Sequence, residues 1–116
     1  VDIDSLAISA TKTNSALNNL SENHLNVFPG SIEEIEANMP IEKIDLLLCN
    51  ILAPVIKSLG PSFKKIIGHK GKVILSGLLV EQIKELQDFF LPLGWQILDI
   101  KTKDQWALMV ITLDLP

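Results

Sequence analysis

The chain has 116 residues, of which 47% are hydrophobic and 21% charged, and a formal net charge of −4. That balance excludes a disordered tail, and its acidity argues against the basic face that non-specific nucleic-acid binding requires. The single cysteine, Cys49, excludes an intrachain disulfide and suits a reducing cytoplasm, and no apolar run approaches the roughly 20 residues of a membrane-spanning helix.

The chain opens at Val1-Asp2-Ile3-Asp4, without a methionine and without the basic stretch and apolar core of a signal peptide. Val1 to Ile3 reads as the end of a strand, so the chain is expected to start inside a domain. Asp4 is placed to cap a helix in which Leu6, Ala10, Asn14 and Leu17 share one face, ending at Asn18-Asn19. Leu25 to Phe28 predicts a short strand, Pro29-Gly30 a turn, and Ser31 to Asn38 a short helix with an acidic face.

Ile44 to Cys49 is an almost continuous apolar run, which predicts a parallel strand in a central position, covered on both faces. Leu52, Val55, Ile56, Leu59, Phe63, Ile66 and Ile67 then follow helical spacing, interrupted at Gly60-Pro61, which predicts two helical pieces with Pro61 opening the second. A turn at Gly68 to Gly71 leads into a buried strand at Lys72 to Ser76. Leu79, Ile83, Leu86, Phe90 and Leu93 mark another helix, stopped by Pro92 and Gly94. Two strands close the chain, Trp95 to Ile100 and Gln105 to Leu113, joined by the polar stretch Lys101 to Asp104; Trp95 and Trp106 are expected to face each other across them in the core. So short a link excludes a parallel crossover, which needs a dozen or more residues, and requires an antiparallel hairpin. Alternating strands and helices closed by such a hairpin point to an α/β, class I methyltransferase (Rossmann-like) sheet.

Two stretches carry the chemistry. At Val1-Asp2-Ile3-Asp4, an acid at a strand end is suited to accept hydrogen bonds from both hydroxyls of a ribose, because a carboxylate accepts two charge-assisted bonds at once. Asp2 is the candidate, with Ile3 offering an apolar surface to an adenine; the alternative is that both aspartates are ordinary caps. At Cys49-Asn50-Ile51-Leu52-Ala53-Pro54, an asparagine follows a strand at the edge where open α/β sheets bind ligands. Asn50 offers an uncharged acceptor for the N–H groups of an amine, which turns the nitrogen lone pair toward an electrophile, and the carbonyl of Ile51 offers a second acceptor. The alternative is a helix N-cap. Ser31, in Pro29-Gly30-Ser31, is either a further adenine contact or a helix cap. Ser76-Gly77-Leu78-Leu79 is either a wall of the substrate pocket or a plain turn. Cys49 lies in an apolar run and is expected to pack, and one cysteine with two histidines offers no metal-ligand spacing.

Three blocks, Val1-Asp2-Ile3-Asp4, Asp45 to Ala53 and Lys72 to Leu79 with Glu81-Gln82 after it, resemble the ribosomal protein L11 methyltransferase (PrmA) family, as does Gln105-Trp106 in the last strand. The resemblance runs in order along the whole chain. It implies a protein methyltransferase that uses S-adenosylmethionine, acts on lysine and N-terminal amines of a large-subunit ribosomal protein, and works in the cytoplasm. It places Asp2 on the cofactor ribose and Asn50 at the cofactor and the reacting amine. It also implies that residues 1–116 are a partial methyltransferase domain, truncated before the second strand, with the first strand, the glycine-rich loop and a substrate-recognition domain absent. Ser5 stands where the family often has proline. Two rival readings remain at this point: an NAD-dependent oxidoreductase, whose ribose Asp2 would hold equally well, and a non-catalytic fragment.

Overall fold

Asp4 starts the first helix, α1 (Ser5–Leu17), as predicted: its Oδ1 accepts the backbone N–H of Leu6 at 2.9 Å, satisfying a donor that a helix start leaves without a partner. The computed structural model describes residues 1–39 and 44–113, which divide into two units, Val1–Met39 and Pro40–Pro116. In the first unit α1 ends at Asn18, also as predicted, but its packed face is a different one. Ile8 is buried, whereas Leu6 and Leu17 are 77% and 75% exposed and Ala10 and Asn14 are exposed as well. Helical periodicity finds an apolar stripe without saying which stripe meets a partner.

The strands predicted at Val1 to Ile3 and Leu25 to Phe28 do not form. One parallel bridge between Asp2 and Pro29 stands in their place, made by Asp2 N–H to the Phe28 carbonyl (3.4 Å) and Gly30 N–H to the Asp2 carbonyl (2.9 Å). The next donor along the ladder, the backbone N–H of Asp4, is given instead to the Asp2 side chain, and a lone pair of short strands is marginal in water. The helix α2 (Ile32–Asn38) follows, with Ile32 buried and Glu33 and Glu34 in its first turn, where the helix dipole favours acids.

The second unit is built on a four-stranded sheet of order β1-β2-β4-β3, comprising β1 (Ile44–Asn50), β2 (Ile67–Leu79), β3 (Trp95–Lys103) and β4 (Trp106–Leu113). β1 and β2 are parallel; β2 with β4, and β4 with β3, are antiparallel. The closing hairpin is therefore present. It is tighter than expected, since β3 runs on through Lys101, Thr102 and Lys103, and Asp104 turns the chain in a left-handed conformation (φ 53°) that aspartate tolerates. The two tryptophans do not face each other. Trp95 pairs with Leu113 at one end of the hairpin and is buried, while Trp106 pairs with Lys103 at the other and is 51% exposed.

β1 is parallel to its neighbour, as its apolar run predicts; among the four described strands of this unit it is the outermost and not the central one expected, and its two faces are unequally covered. Cys49 is buried and Leu47 half-buried on one face, while Leu46 and Leu48 on the other are 51% and 70% exposed. The covered face continues across the sheet through Val73 and Leu75 to their partners Ile111 and Met109, all fully buried. The helices α3 (Ala53–Leu59), α4 (Phe63–Ile66) and α5 (Ile83–Phe90) contribute Ile56, Phe63, Leu86 and Phe90, each at most 1% exposed. Phe63 and Phe90 stack at 6.1 Å, and the Trp95 ring meets both edge-on. Leu52 and Val55, predicted on the apolar face of α3, are exposed, and Ile67 belongs to β2. Pro61 lies in a single 3-10 turn, Gly60–Ser62, between α3 and α4 and not at the first position of α4.

The turn predicted at Gly68 to Gly71 is taken into β2 as a bulge: Ile67 pairs with Ile44 and Lys72 with Leu46, so the residues between them loop out, with Lys70 left-handed at φ 63°. A second bulge lies at Ser76 and Gly77, between the pairs Leu75 with Met109 and Leu78 with Ala107. Gly94, at φ 87°, stops the segment after α5 as expected.

Candidate active site

In the first unit, the bridge to Pro29 holds Asp2 beside the Pro29-Gly30 turn, with Ser31 next along the chain. Asp4, not Asp2, caps α1. The Asp2 Oδ1 accepts the backbone N–H of Asp4 at 2.8 Å, a turn that fixes the carboxylate immediately before the helix. A carboxylate has about four lone-pair sites, and this bond uses one of them. Asp2 is exposed, and Ile3 beside it is 85% exposed, so an acidic acceptor and an apolar side chain stand together on the surface. Ser31 is half-buried at the N-cap position of α2, but its side chain makes no capping hydrogen bond.

In the second unit, Asn50 is the last residue of β1 and is exposed. It does not cap the next helix. Leu52 holds the N-cap position of α3, and its carbonyl accepts the N–H groups of Val55 and Ile56 at 2.9 and 3.0 Å. The capping alternative for Asn50 is thereby removed, and among the described residues no hydrogen bond holds its carboxamide. Ile51 is half-buried in the bend between strand and helix.

Parallel pairing sets Asn50 opposite Ser76. The bulge then brings the backbone of Gly77, at φ 68°, against the Asn50 side chain. A Cβ on Gly77 would collide with the Asn50 Oδ1 and would lie 3.2 Å from its Cγ. Sequence reasoning marked Ser76-Gly77 as the end of a strand but not as the seat of Asn50. The available signal was a glycine inside an apolar strand pattern, which often marks a bulge or a close backbone approach.

Cys49 packs, as expected. Burial pushes its thiol up to about 11, so near neutral pH it stands as the neutral thiol. Among the described residues, no helix is long and apolar enough to cross a membrane.

Chemically, the two units present different tools. The first offers an exposed carboxylate beside an apolar side chain, a pairing that fits a ribose and the base attached to it. The second offers an uncharged amide at the C-terminal edge of a parallel strand, which fits an amine without adding a charge that would hold it protonated.

The sheet order, with its closing antiparallel hairpin, is that of class I methyltransferases. A precorrin-6y C5,15-methyltransferase from Geobacter metallireducens shares this fold with a TM-score of 0.68 at 9% identity, over 93% of this chain and 62% of that one. A ribosomal protein L11 methylase from Lactobacillus delbrueckii subsp. bulgaricus superposes with a TM-score of 0.83 at 25% identity, over 97% of this chain and 55% of that one. Residues 1–114 match the family model of ribosomal protein L11 methyltransferase (PrmA), and the chain belongs to that family. It is similar to the ribosomal protein L11 methyltransferase of Prochlorococcus marinus, 46% identical over 109 residues that make up 94% of this chain and 36% of the relative. The corresponding protein of Parasynechococcus marenigrum is 41% identical over 110 residues, 95% of this chain and 38% of the relative. The chain thus spans a little over a third of the length of these curated relatives. Membership of a methyltransferase family does not favour the oxidoreductase alternative.

Proposed function

We propose that the protein containing this chain transfers a methyl group from S-adenosylmethionine to lysine and N-terminal amines of a large-subunit ribosomal protein, in the cytoplasm. The observation that carries this reading is the family match over residues 1–114. The exposed carboxamide of Asn50 at the end of β1 supports it, being free of any capping role. On this reading residues 1–116 are part of a methyltransferase domain.

Asp2 would hold the ribose hydroxyls of S-adenosylmethionine, with Ile3 and Ser31 toward its adenine. When bound, this cosubstrate supplies a methyl group on a positively charged sulfur. The protein's task is to present an uncharged nitrogen in line, at roughly 3–3.5 Å. A lysine amine in water has a pKa of about 10.4 and is mostly charged near neutral pH, and desolvation lowers that value. The Asn50 carbonyl oxygen, with the Ile51 carbonyl as a second acceptor, holds the N–H groups and so aims the lone pair. A carboxylate in the same place would stabilise the ammonium form and work against deprotonation.

The test is methyl transfer by the full-length protein from labelled S-adenosylmethionine to isolated ribosomal protein L11, with mass spectrometry to locate the methyl groups. Label on lysine and N-terminal nitrogens is expected. A protein that binds S-adenosylmethionine but leaves that substrate unlabelled overturns the proposed substrate, and one that binds NAD in its place overturns the reaction.

A further inference from the structure

We propose that Gly77 is a positioning residue for Asn50: its bulged, left-handed backbone leaves open the seat that the Asn50 carboxamide oxygen occupies. The inference rests on the reading of Asn50 as the group that orients the substrate amine.

Three observations meet at this point. Parallel pairing fixes Asn50 opposite Ser76, so the side chain of Asn50 and the backbone of residue 77 are neighbours at the C-terminal edge of the sheet. The bulge between Leu75 and Leu78 turns residue 77 to φ 68°, a conformation that side chains disfavour. A Cβ built there would collide with the Asn50 Oδ1, and would lie 3.2 Å from its Cγ and 3.8 Å from its Nδ2.

The terminal torsion of an asparagine is broad and selects no orientation by itself. Among the described residues no hydrogen bond holds this carboxamide, so contact with the Gly77 backbone is what sets its direction. A methyl group at residue 77 takes the oxygen's seat. Asparagine is short and its end is free to rotate, so the carboxamide swings away while the strands stay paired. Bulges re-aim side chains beside active sites in this way.

The test uses the full-length protein with Gly77→Ala, Asn50→Ala and the double variant. At saturating substrates, Gly77→Ala lowers kcat on the order of 10–100-fold, the scale of a small misplacement at a reacting centre, while S-adenosylhomocysteine binding by calorimetry stays close to wild type. In the Asn50→Ala background the same change has no further effect, as required if Gly77 acts through Asn50. Without any ligand, the side-chain amide NMR signal of Asn50, assigned by its loss in Asn50→Ala, shifts in Gly77→Ala. Gly77→Asn separates the seat from backbone strain, because asparagine tolerates the left-handed region yet still carries a Cβ. It lowers kcat as alanine does, and it decides the matter if Gly77→Ala does not fold.

Wild-type kcat in Gly77→Asn with an unmoved Asn50 signal overturns the proposal. So does an equal loss in both backgrounds, which makes Gly77 a purely structural residue. Full turnover by Asn50→Ala overturns the role of Asn50 and this proposal together, whereas impaired Asn50→Ala with either of the preceding results sinks the Gly77 role alone.

Discussion

The carboxylate of Asp2 accepts the backbone N–H of Asp4 at 2.8 Å, and the carboxylate of Asp4 in turn accepts that of Leu6 at 2.9 Å. Two aspartates that look interchangeable in sequence thus have different work: Asp4 starts α1, and Asp2 is held in front of it with lone pairs to spare. Asp2→Asn keeps an oxygen for the turn and removes the charge. It is expected to leave the melting temperature unchanged and to weaken S-adenosylhomocysteine binding by roughly 10-fold or more, the scale of a lost charged hydrogen bond. Asp2→Ala loses the turn as well and should also melt earlier. Calorimetry on the full-length protein checks both, and unaltered affinity in the two variants removes Asp2 from the ribose.

Asn50→Ala is expected to reduce turnover far more than cofactor affinity. A group that only aims the nucleophile contributes at the transition state, so kcat should fall on the order of 100-fold while the Kd for S-adenosylhomocysteine stays within a few-fold. Single-turnover methylation alongside calorimetry separates the two quantities. A loss of affinity with unchanged kcat would reassign Asn50 to ground-state binding.

Phe90 is fully buried between Phe63, stacked at 6.1 Å, and Trp95, edge-on at 6.2 Å. Removing the ring takes away its burial and leaves a cavity that close-packed neighbours fill only in part. Phe90→Ala should therefore cost about 3–5 kcal/mol, measured by urea denaturation. Leu91, the next residue, is 51% exposed, and Leu91→Ala should change stability by about 0.5 kcal/mol or less.

The Cys49 thiol is raised to about 11 by burial, against about 8.5 in an unfolded chain. At neutral pH its thiolate fraction is lower than that of a free thiol by roughly 300-fold, so alkylation by iodoacetamide should be slowed by a similar factor, read at the Cys49 peptide by mass spectrometry. The folded state holds this proton more tightly than the unfolded state. The stability linked to it is therefore fully present below about pH 8.5 and is lost as pH rises through about 11. Cys49→Ala should remove that part of the alkaline loss of stability. Rapid labelling of the native thiol near neutral pH would show that the site opens.

Much of this protein was legible from local pattern. The short link read at Lys101 to Asp104, which closes to Asp104-Gln105 in the fold, left an antiparallel hairpin as the only possible ending, because a parallel return needs a longer path. The cap at Asp4, the end of α1 at Asn18, the stop at Gly94 and the packing of Leu86 and Phe90 followed from residue chemistry and spacing alone. Tertiary structure decided what depends on neighbours distant in sequence. It made β1 the outermost of the described strands, chose Ile8 over Leu6 as the packed side of α1, and put Trp106 at the surface. It also set Asn50 against Gly77, a residue 27 positions along the chain, through strand register and a bulge. Periodicity and capping act over a few residues, so a sequence states them directly. Strand order, burial of a particular face and the seat of a side chain arise only when separate segments meet, and no single segment carries them.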